Sequence, residues 1–143
     1  MKKNIVLFAF MLLLYSCEKP CGDASTGPPS LRIEIIDSTT NENVFTNGTF
    51  SQNQVQVTTA NSTSQGYSFI SENNLNIIAL SPAWTEGTFT TSIKLNNQIT
   101  IPIVTKIYKS ATRCFENYFI ESVTVTGYSY SLDQTTGIYK IKI

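Results

Sequence analysis

The chain has 143 residues, with ten basic and ten acidic side chains and no histidine. This length suits a single domain with one modest core. Arg32 and Arg113 are the only arginines, and nucleic acid rewards clustered Lys and Arg, so we expect no nucleic-acid partner. The absence of histidine removes the commonest general base and the usual transition-metal ligand, so we expect no cofactor and no catalysis.

The first seventeen residues carry the pattern of an export signal. Two lysines precede an uncharged apolar run over residues 5–15, which is followed by the small residue Ser16 and by Cys17. A positive start, an apolar run of this length and a small residue at the cleavage position indicate a secretory signal peptide, too short to span a bilayer.

Residues 14–17, Leu-Tyr-Ser-Cys, resemble the lipobox of bacterial lipoproteins. The resemblance implies that a signal peptide (residues 1–16) is removed, that the thiol of Cys17 is alkylated with diacylglycerol, and that the new N-terminus is acylated. It implies a protein held by membrane lipid in the bacterial cell envelope, on the outer membrane and facing the periplasm. The composition, rich in Asn, Ile and Thr, is also similar to that of small envelope lipoproteins of Bacteroidetes-type bacteria. Without Lys2 and Lys3, eight basic and ten acidic residues remain, a formal charge of −2.

Residues 17–30 are predicted to form the lipidated cysteine and a flexible tether. Residues 18–30 hold three of the five prolines and two glycines, and such a segment cannot bury a core. Residues 31–143 are predicted to form the folded domain.

From Leu31 onward, apolar and polar residues alternate with a period of two. The alternating stretches, eight or nine short strands at about ten-residue spacing, favour an all-β fold. We expect an antiparallel two-layer sandwich of immunoglobulin-like topology. A barrel would show the same alternation and stays open. The predicted strands lie near residues 31–35, 54–58, 67–69, 75–80, 89–95, 99–103, 118–126, 128–132 and 139–143.

Four local features refine this interpretation. Asn96-Asn97 predicts a two-residue hairpin turn, because Asn tolerates positive φ. Pro102 predicts an edge position or a bulge, because proline cannot donate to a ladder. Residues 110–117 are predicted to be a loop. The last strand is predicted to be paired, with Lys140 and Lys142 protecting a sheet edge.

The three cysteines are explained by two different chemistries. Once Cys17 is assigned to lipid, Cys21 and Cys114 remain as an even pair in an oxidising compartment. We expect a disulfide between them; two free thiols are the alternative.

Trp84, Tyr128 and Tyr130 are the candidate binding residues. Trp84 falls in a predicted loop, where an aromatic ring can stack on a sugar or anchor a protein partner. A single Trp in a sandwich more often fills or caps the core, and we favour that interpretation. The two tyrosines share one face of a strand, as half-buried strand residues or as a binding strip.

The acidic residues offer little for catalysis or metal binding. Glu116 and Glu121 flank a strand and are predicted to point to opposite faces, although a glycosidase-like pair can also converge from distant positions. The turn from Asp37 to Asn43 offers oxygen ligands for calcium but lacks the EF-hand pattern. Asx side chains that bond their own backbone explain the turn better.

The sequence therefore predicts a lipid-anchored, non-catalytic envelope domain with a binding or structural role, whose partner is an envelope protein or a glycan. Two alternatives stay open. One is a small glycan-directed hydrolase or inhibitor-like domain. The other is an adhesin-like module that pairs with a neighbour by strand addition.

Overall fold

Ten β-strands and one short 3-10 turn make up the computed structural model, which describes residues 24–61, 64–72, 75–112 and 114–143. The predicted signal peptide (residues 1–16), Cys17 and Cys21 lie outside these ranges. Within them, no helix is both long enough and apolar enough to cross a bilayer. The strands are β1 (Ala24–Thr26), β2 (Leu31–Ile36), β3 (Val55–Thr59), β4 (Tyr67–Glu72), β5 (Leu75–Leu80), β6 (Gly87–Leu95), β7 (Ile99–Ala111), β8 (Phe115–Val125), β9 (Ser129–Asp133) and β10 (Ile138–Lys142), with the 3-10 turn at Gln52–Gln54.

The strands form two sheets that pack face to face. The first sheet has the order β1-β8-β7-β6-β3 and the second has the order β4-β5-β2-β10-β9. The predicted all-β, two-layer sandwich is therefore confirmed. The sheets are mixed rather than purely antiparallel as predicted, because β1 runs parallel to β8 and β10 runs parallel to β2, while the other pairs are antiparallel.

The order of β2 to β7 matches that of strands B to G in an immunoglobulin domain. In that fold, strands D, E and B are neighbours in one sheet and C, F and G in the other. Here the corresponding rows are β4-β5-β2 and β3-β6-β7, and all four pairings within them are antiparallel. β10 occupies the place beside β2 that strand A has in the immunoglobulin fold.

The core lies between the sheets and consists of the alternate apolar residues of each strand. On β7, Ile101, Ile103 and Ile107 are buried, while the residues between them are mostly half-buried or exposed. Burial of alternate residues removes apolar area from water while the other face stays wet, and this is the main favourable term in folding. The most deeply buried side chains are Ile33, Ile35, Val44, Ile78, Ile93, Leu95, Ile101, Ile103, Ile107 and Ile141.

The β6–β7 hairpin shows why two adjacent asparagines stand there. Asn96 and Asn97 have φ of 48° and 55°, the left-handed region that Asn tolerates best after Gly. The amide of Gln98 donates to the carbonyl of Leu95 at 3.0 Å. Because Leu95 pairs with Ile99, the connection has one residue more than the predicted two-residue turn.

Pro102 lies in β7, between two neighbouring strands, yet its missing N–H breaks no ladder. Its carbonyl accepts a hydrogen bond from the amide of Thr126 at 3.1 Å. In a strand, the N–H and C=O of one residue point toward the same neighbour, so the proline nitrogen faces the place where β8 has already ended at Val125. At Pro102, β7 is therefore an edge strand on the side of β8.

Three features of the fold differ from the sequence prediction. The segment predicted to be a tether contains β1, whose Ala24 pairs with Phe115. The predicted loop at residues 110–117 contains the end of β7 and the start of β8. The last strand, β10, lies between β2 and β9 and is not an edge strand, so its lysines do not protect an edge.

Candidate functional site

A cleft opens between the two sheets at one end of the sandwich. The start of β2 and the end of β5 form its wall on the second sheet, and the end of β3 with parts of β6 and β7 forms its wall on the first. The cleft encloses about 330 Å³, near the lower limit for small-molecule pockets. Its lining residues are Leu31, Thr59, Ala60, Asn61, Gln65, Leu80, Ser81, Pro82, Ala83, Thr88, Phe89, Thr90, Thr91, Thr105 and Ile107.

The lining combines a buried apolar floor with uncharged polar groups. Leu31, Leu80 and Ile107 are buried, and the half-buried ring of Phe89 adds an aromatic surface. Hydroxyl and amide side chains supply both donors and acceptors. Among the described residues that line the cleft, none has a titratable side chain. The cleft therefore suits a neutral ligand that has both hydroxyl groups and apolar faces.

Gln65 fixes the rim of the cleft by joining three elements. Its Nε2 donates to the carbonyl of Ser81 at 3.2 Å, and its Oε1 accepts from the hydroxyl of Thr91 at 3.0 Å. Its backbone amide donates to the carbonyl of Val57 at 2.8 Å. These bonds tie the β3 and β6 side of the cleft to the loop after β5, so the cleft is held in shape without a ligand.

Thr105 is the one polar residue that is buried in the part of the chain that the structure describes, at 7% exposure. It continues the inward-facing series of β7 after Ile101 and Ile103, and it lies opposite Phe89 on β6. Thr105 also lines the cleft, so it adds a hydroxyl-bearing side chain to that lining.

Glu116 and Glu121 are each paired with a lysine. Lys109 forms an ion pair with Glu116, and the hydrogen bond from Lys109 lowers the pKa of that carboxyl group. Lys106 Nζ lies 2.9 Å from Glu121 Oε1. Because the two lysines are three residues apart on one strand, the pairs lie on opposite faces of the sheet. The predicted separation of the two carboxylates is confirmed, and they do not form a catalytic pair.

A second group of charges lies on the outer face of the other sheet. Lys140 Nζ is 3.6 Å from Asp133 Oδ2 and 4.0 Å from Glu34 Oε2. Asp133 also accepts hydrogen bonds from the amides of Thr135 and Thr136, and these bonds lower its pKa. A glycosidase acid needs a raised pKa, so Asp133 is unsuited to that role.

The turn considered for calcium is closed by its own hydrogen bonds. Asp37 Oδ1 accepts from the amides of Thr39 at 2.7 Å and Thr40 at 2.9 Å, and Asn41 Oδ1 accepts from Lys142 Nζ at 2.8 Å. These contacts support the Asx-turn interpretation. No three His, Cys, Asp or Glu side chains come together as a metal-binding group within the described ranges.

Trp84 lies in the loop between β5 and β6 and is 59% exposed. The favoured prediction, that it fills or caps the core, is wrong. Its ring lies directly against Gly27, since a β-carbon there would come within 2.1 Å of the indole. Trp84 therefore packs against the segment that follows β1. Its role in binding stays a prediction.

Tyr128 and Tyr130 have different surroundings. Tyr128 precedes β9 and packs half-buried against the core. Tyr130 lies in β9, is exposed, and donates its hydroxyl to the carbonyl of Val123 at 3.0 Å. Neither lines the cleft, and a binding role for either stays a prediction.

Cys114 lies half-buried immediately before β8. Because Cys17 and Cys21 fall outside the described residues, lipidation and the Cys21–Cys114 bridge stay predictions at this point.

Sequence reasoning did not identify the cleft, Gln65 or Thr105. One signal was present, because a threonine interrupts the inward-facing series Ile101, Ile103 and Ile107. The contacts of Gln65 join residues that are 16 and 26 positions away, and periodicity carries no information on such contacts. Comparisons with family models, with curated proteins and with solved structures found no match.

Proposed function

We propose that this protein is a lipid-anchored, non-catalytic binding domain of the bacterial cell envelope, and that its cleft binds a neutral glycan. Lipid anchorage is supported by the Leu-Tyr-Ser-Cys sequence ending at Cys17. Glycan binding is supported by the chemistry of the cleft.

The observation that carries the proposal is the uncharged lining of the cleft. Sugars present hydroxyl groups in the plane of the ring and apolar C–H groups on its faces. The hydroxyls of Thr59, Thr91 and Thr105 match the first kind of group, and Phe89 with the aliphatic floor matches the second. A volume of about 330 Å³ suits a short segment of a glycan rather than a long one.

The same lining favours binding over hydrolysis. General acid–base catalysis needs a titratable group within hydrogen-bond reach of the substrate, and glycoside hydrolysis needs two carboxyl groups that flank the bond. The described residues of the cleft supply neither. A ligand there would be held and released unchanged.

Thr105→Val tests the cleft, with Thr100→Val as the matched control on the same strand. Valine keeps the β-branched shape that suits a strand but removes the hydroxyl. A lost neutral hydrogen bond costs about 0.5–1.5 kcal/mol, so we expect about 2–10-fold weaker binding of neutral disaccharides such as cellobiose or chitobiose, measured by calorimetry. Thr100 is exposed, and its variant should bind normally. Equal affinity for all three proteins would contradict the proposed site.

Cys17→Ala tests the anchor. The variant should accumulate as an unprocessed precursor without lipid, as intact mass and a membrane fractionation will show. Normal cleavage and normal membrane retention of the variant would refute lipidation.

The Cys21–Cys114 disulfide belongs to the same proposal. β1 runs parallel to β8 with Ala24 opposite Phe115, so the chain just after Cys21 lies beside the residue that follows Cys114. In the chain-entropy model, closing so long a loop stabilises by about 4–5 kcal/mol. Alkylation followed by intact mass measurement should find these thiols only after reduction. Two thiols that react without reductant would refute the bridge.

A further inference from the structure

Three exposed aromatic residues lie on one face of the hairpin of β7 and β8. Tyr108 stacks on Phe119 with ring centroids 5.2 Å apart and an angle of 22° between the rings. Tyr108 and Phe119 are each 41% exposed, and Phe115 is 55% exposed. We call these three residues the aromatic patch. Isolated exposed apolar residues are normal, but a group of large ones marks an interaction surface.

The patch faces away from the second sheet. Tyr108 and Phe119 are opposite each other across the two strands, and Phe115, four residues before Phe119, lies on the same side. Ile107, next to Tyr108, points inward and is 1% exposed. The patch therefore lies on the opposite face of the first sheet from the core.

The rest of this face has a different character. Further along the first sheet, Ser92 and Lys94 alternate with the inward-facing residues Ile93 and Leu95 of β6. These outward residues are hydroxylic or charged. The aromatic character is thus confined to one end of the face.

That end is where the chain arrives from the proposed lipid anchor. Ala24 of β1 pairs with Phe115, and neighbouring strands lie about 4.8 Å apart. Only seven residue steps separate Ala24 from Cys17, which reach at most about 25 Å when extended at about 3.3–3.6 Å each. Acyl chains on Cys17 would therefore hold the patch close to the lipid surface.

We propose that the aromatic patch docks on the lipid surface that holds Cys17. The proposal rests on the lipid anchorage proposed above. Aromatic side chains collect at the membrane–water interface, and a tyrosine places its ring in the apolar zone with its hydroxyl in the wet one. The short connection gives the patch a high effective concentration at the surface, so even a weak interaction orients the domain.

Tryptophan fluorescence can locate the patch relative to the lipid. Trp84 is the only tryptophan in the chain, so W84F/F115W and W84F/F119W each carry a single reporter within the patch. W84F/L75W is the matched control, because Leu75 is 42% exposed but lies far from the patch. Leu75 is the first residue of β5, whereas Leu80, the last residue of that strand, lines the cleft together with Ile107, the neighbour of Tyr108. The full lipidated proteins are placed on vesicles of phosphatidylethanolamine and phosphatidylglycerol, with and without brominated acyl chains.

The proposal predicts a shift of emission to shorter wavelength on vesicles and several-fold stronger quenching by brominated lipid for F115W and F119W than for L75W. Equal quenching at all three positions, or none at positions 115 and 119, would overturn it. A shift without quenching would also overturn it, because a second copy or another protein would then cover the patch.

Intact mass and vesicle flotation of the same samples separate the docking proposal from the proposal of lipid anchorage. A protein that carries acyl chains and floats, but shows no quenching, refutes docking alone, whereas one without lipid that does not float refutes both.

Discussion

Replacing Ile141 tests whether the last strand is part of the core. Ile141 is 0% exposed and is among the most deeply buried side chains of the domain. Its strand, β10, pairs with β2 on one side and β9 on the other. If this placement is right, Ile141→Ala must damage the centre of the sandwich.

The expected loss follows from the size of the side chain. Isoleucine to alanine removes three carbon atoms at about 0.8 kcal/mol each, about 2.4 kcal/mol for transfer from water. The cavity left behind adds to this, within the range of about 2–5 kcal/mol measured for such changes. Ile141→Val removes one carbon and should cost about 0.5–1.5 kcal/mol. A domain of this size has about 5–15 kcal/mol of stability in total.

Urea unfolding followed by far-ultraviolet circular dichroism measures the change. With a slope of about 2 kcal/mol per molar urea, Ile141→Ala should lower the midpoint by about 1–2.5 M. Lys142→Ala is the matched control on the adjacent, exposed position; it loses one exposed hydrogen bond to Asn41 and should cost no more than about 0.5–1.5 kcal/mol. If Ile141→Ala is as stable as Lys142→Ala, β10 is not packed in the core and the strand order is wrong.

Three further predictions concern local features. Gly27→Ala should displace the ring of Trp84, because the new β-carbon would lie 2.1 Å from it, and acrylamide should then quench tryptophan emission more strongly. Asn97→Val should destabilise the fold by about 1–2 kcal/mol, because a β-branched residue must then adopt φ of 55°, whereas Asn97→Gly should be tolerated. Asp37→Asn should be less stable than the native protein at pH 7, and this difference should shrink in acid.

The acid prediction follows from the direction of the pKa shift. Amide donors of Thr40 and Thr39 lower the pKa of Asp37 below its ordinary value of 3.8. The ionised group therefore stabilises the fold above the unfolded pKa, and this stabilisation is lost as the pH falls through the folded pKa. Urea midpoints at pH 7 and pH 3 test this prediction, and a difference in stability between the native protein and Asp37→Asn that grows in acid would contradict it.

The Gly27 and Asn97 predictions have their own contradicting results. Unchanged quenching in Gly27→Ala or full stability of Asn97→Val would count against the described geometry.

The core of the fold was predictable because its strands alternate. Series such as Ile101, Ile103 and Ile107 indicate which face of a strand is buried, and the adjacent asparagines at 96 and 97 indicate where the chain turns. The pairing of strands that are distant in the sequence produces no periodic pattern of apolar residues. The parallel contacts of β10 with β2 and of β1 with β8 could not be inferred from either strand alone.

Residues 110–117 were predicted to be a loop, although they contain the end of β7 and the start of β8, and this error has a physical reason. Tyr108, Phe115 and Phe119 are large apolar residues that face solvent, so the inward–outward alternation that identifies a strand is not regular around these residues. Trp84 was misplaced for the same reason. Local conflicts of this kind are expected where a surface has a function, and three of these four residues form the patch proposed to meet lipid.

The central claim, that the uncharged cleft is a glycan site, is tested most directly by amide NMR of the isotope-labelled protein titrated with neutral disaccharides. The account predicts shifts confined to the cleft, at Thr59, Gln65, Ser81, Thr91 and Thr105. It also predicts that glucuronic acid, which carries a charge, has a much weaker effect. Shifts that cluster elsewhere, or no shifts with any neutral disaccharide, would contradict the claim.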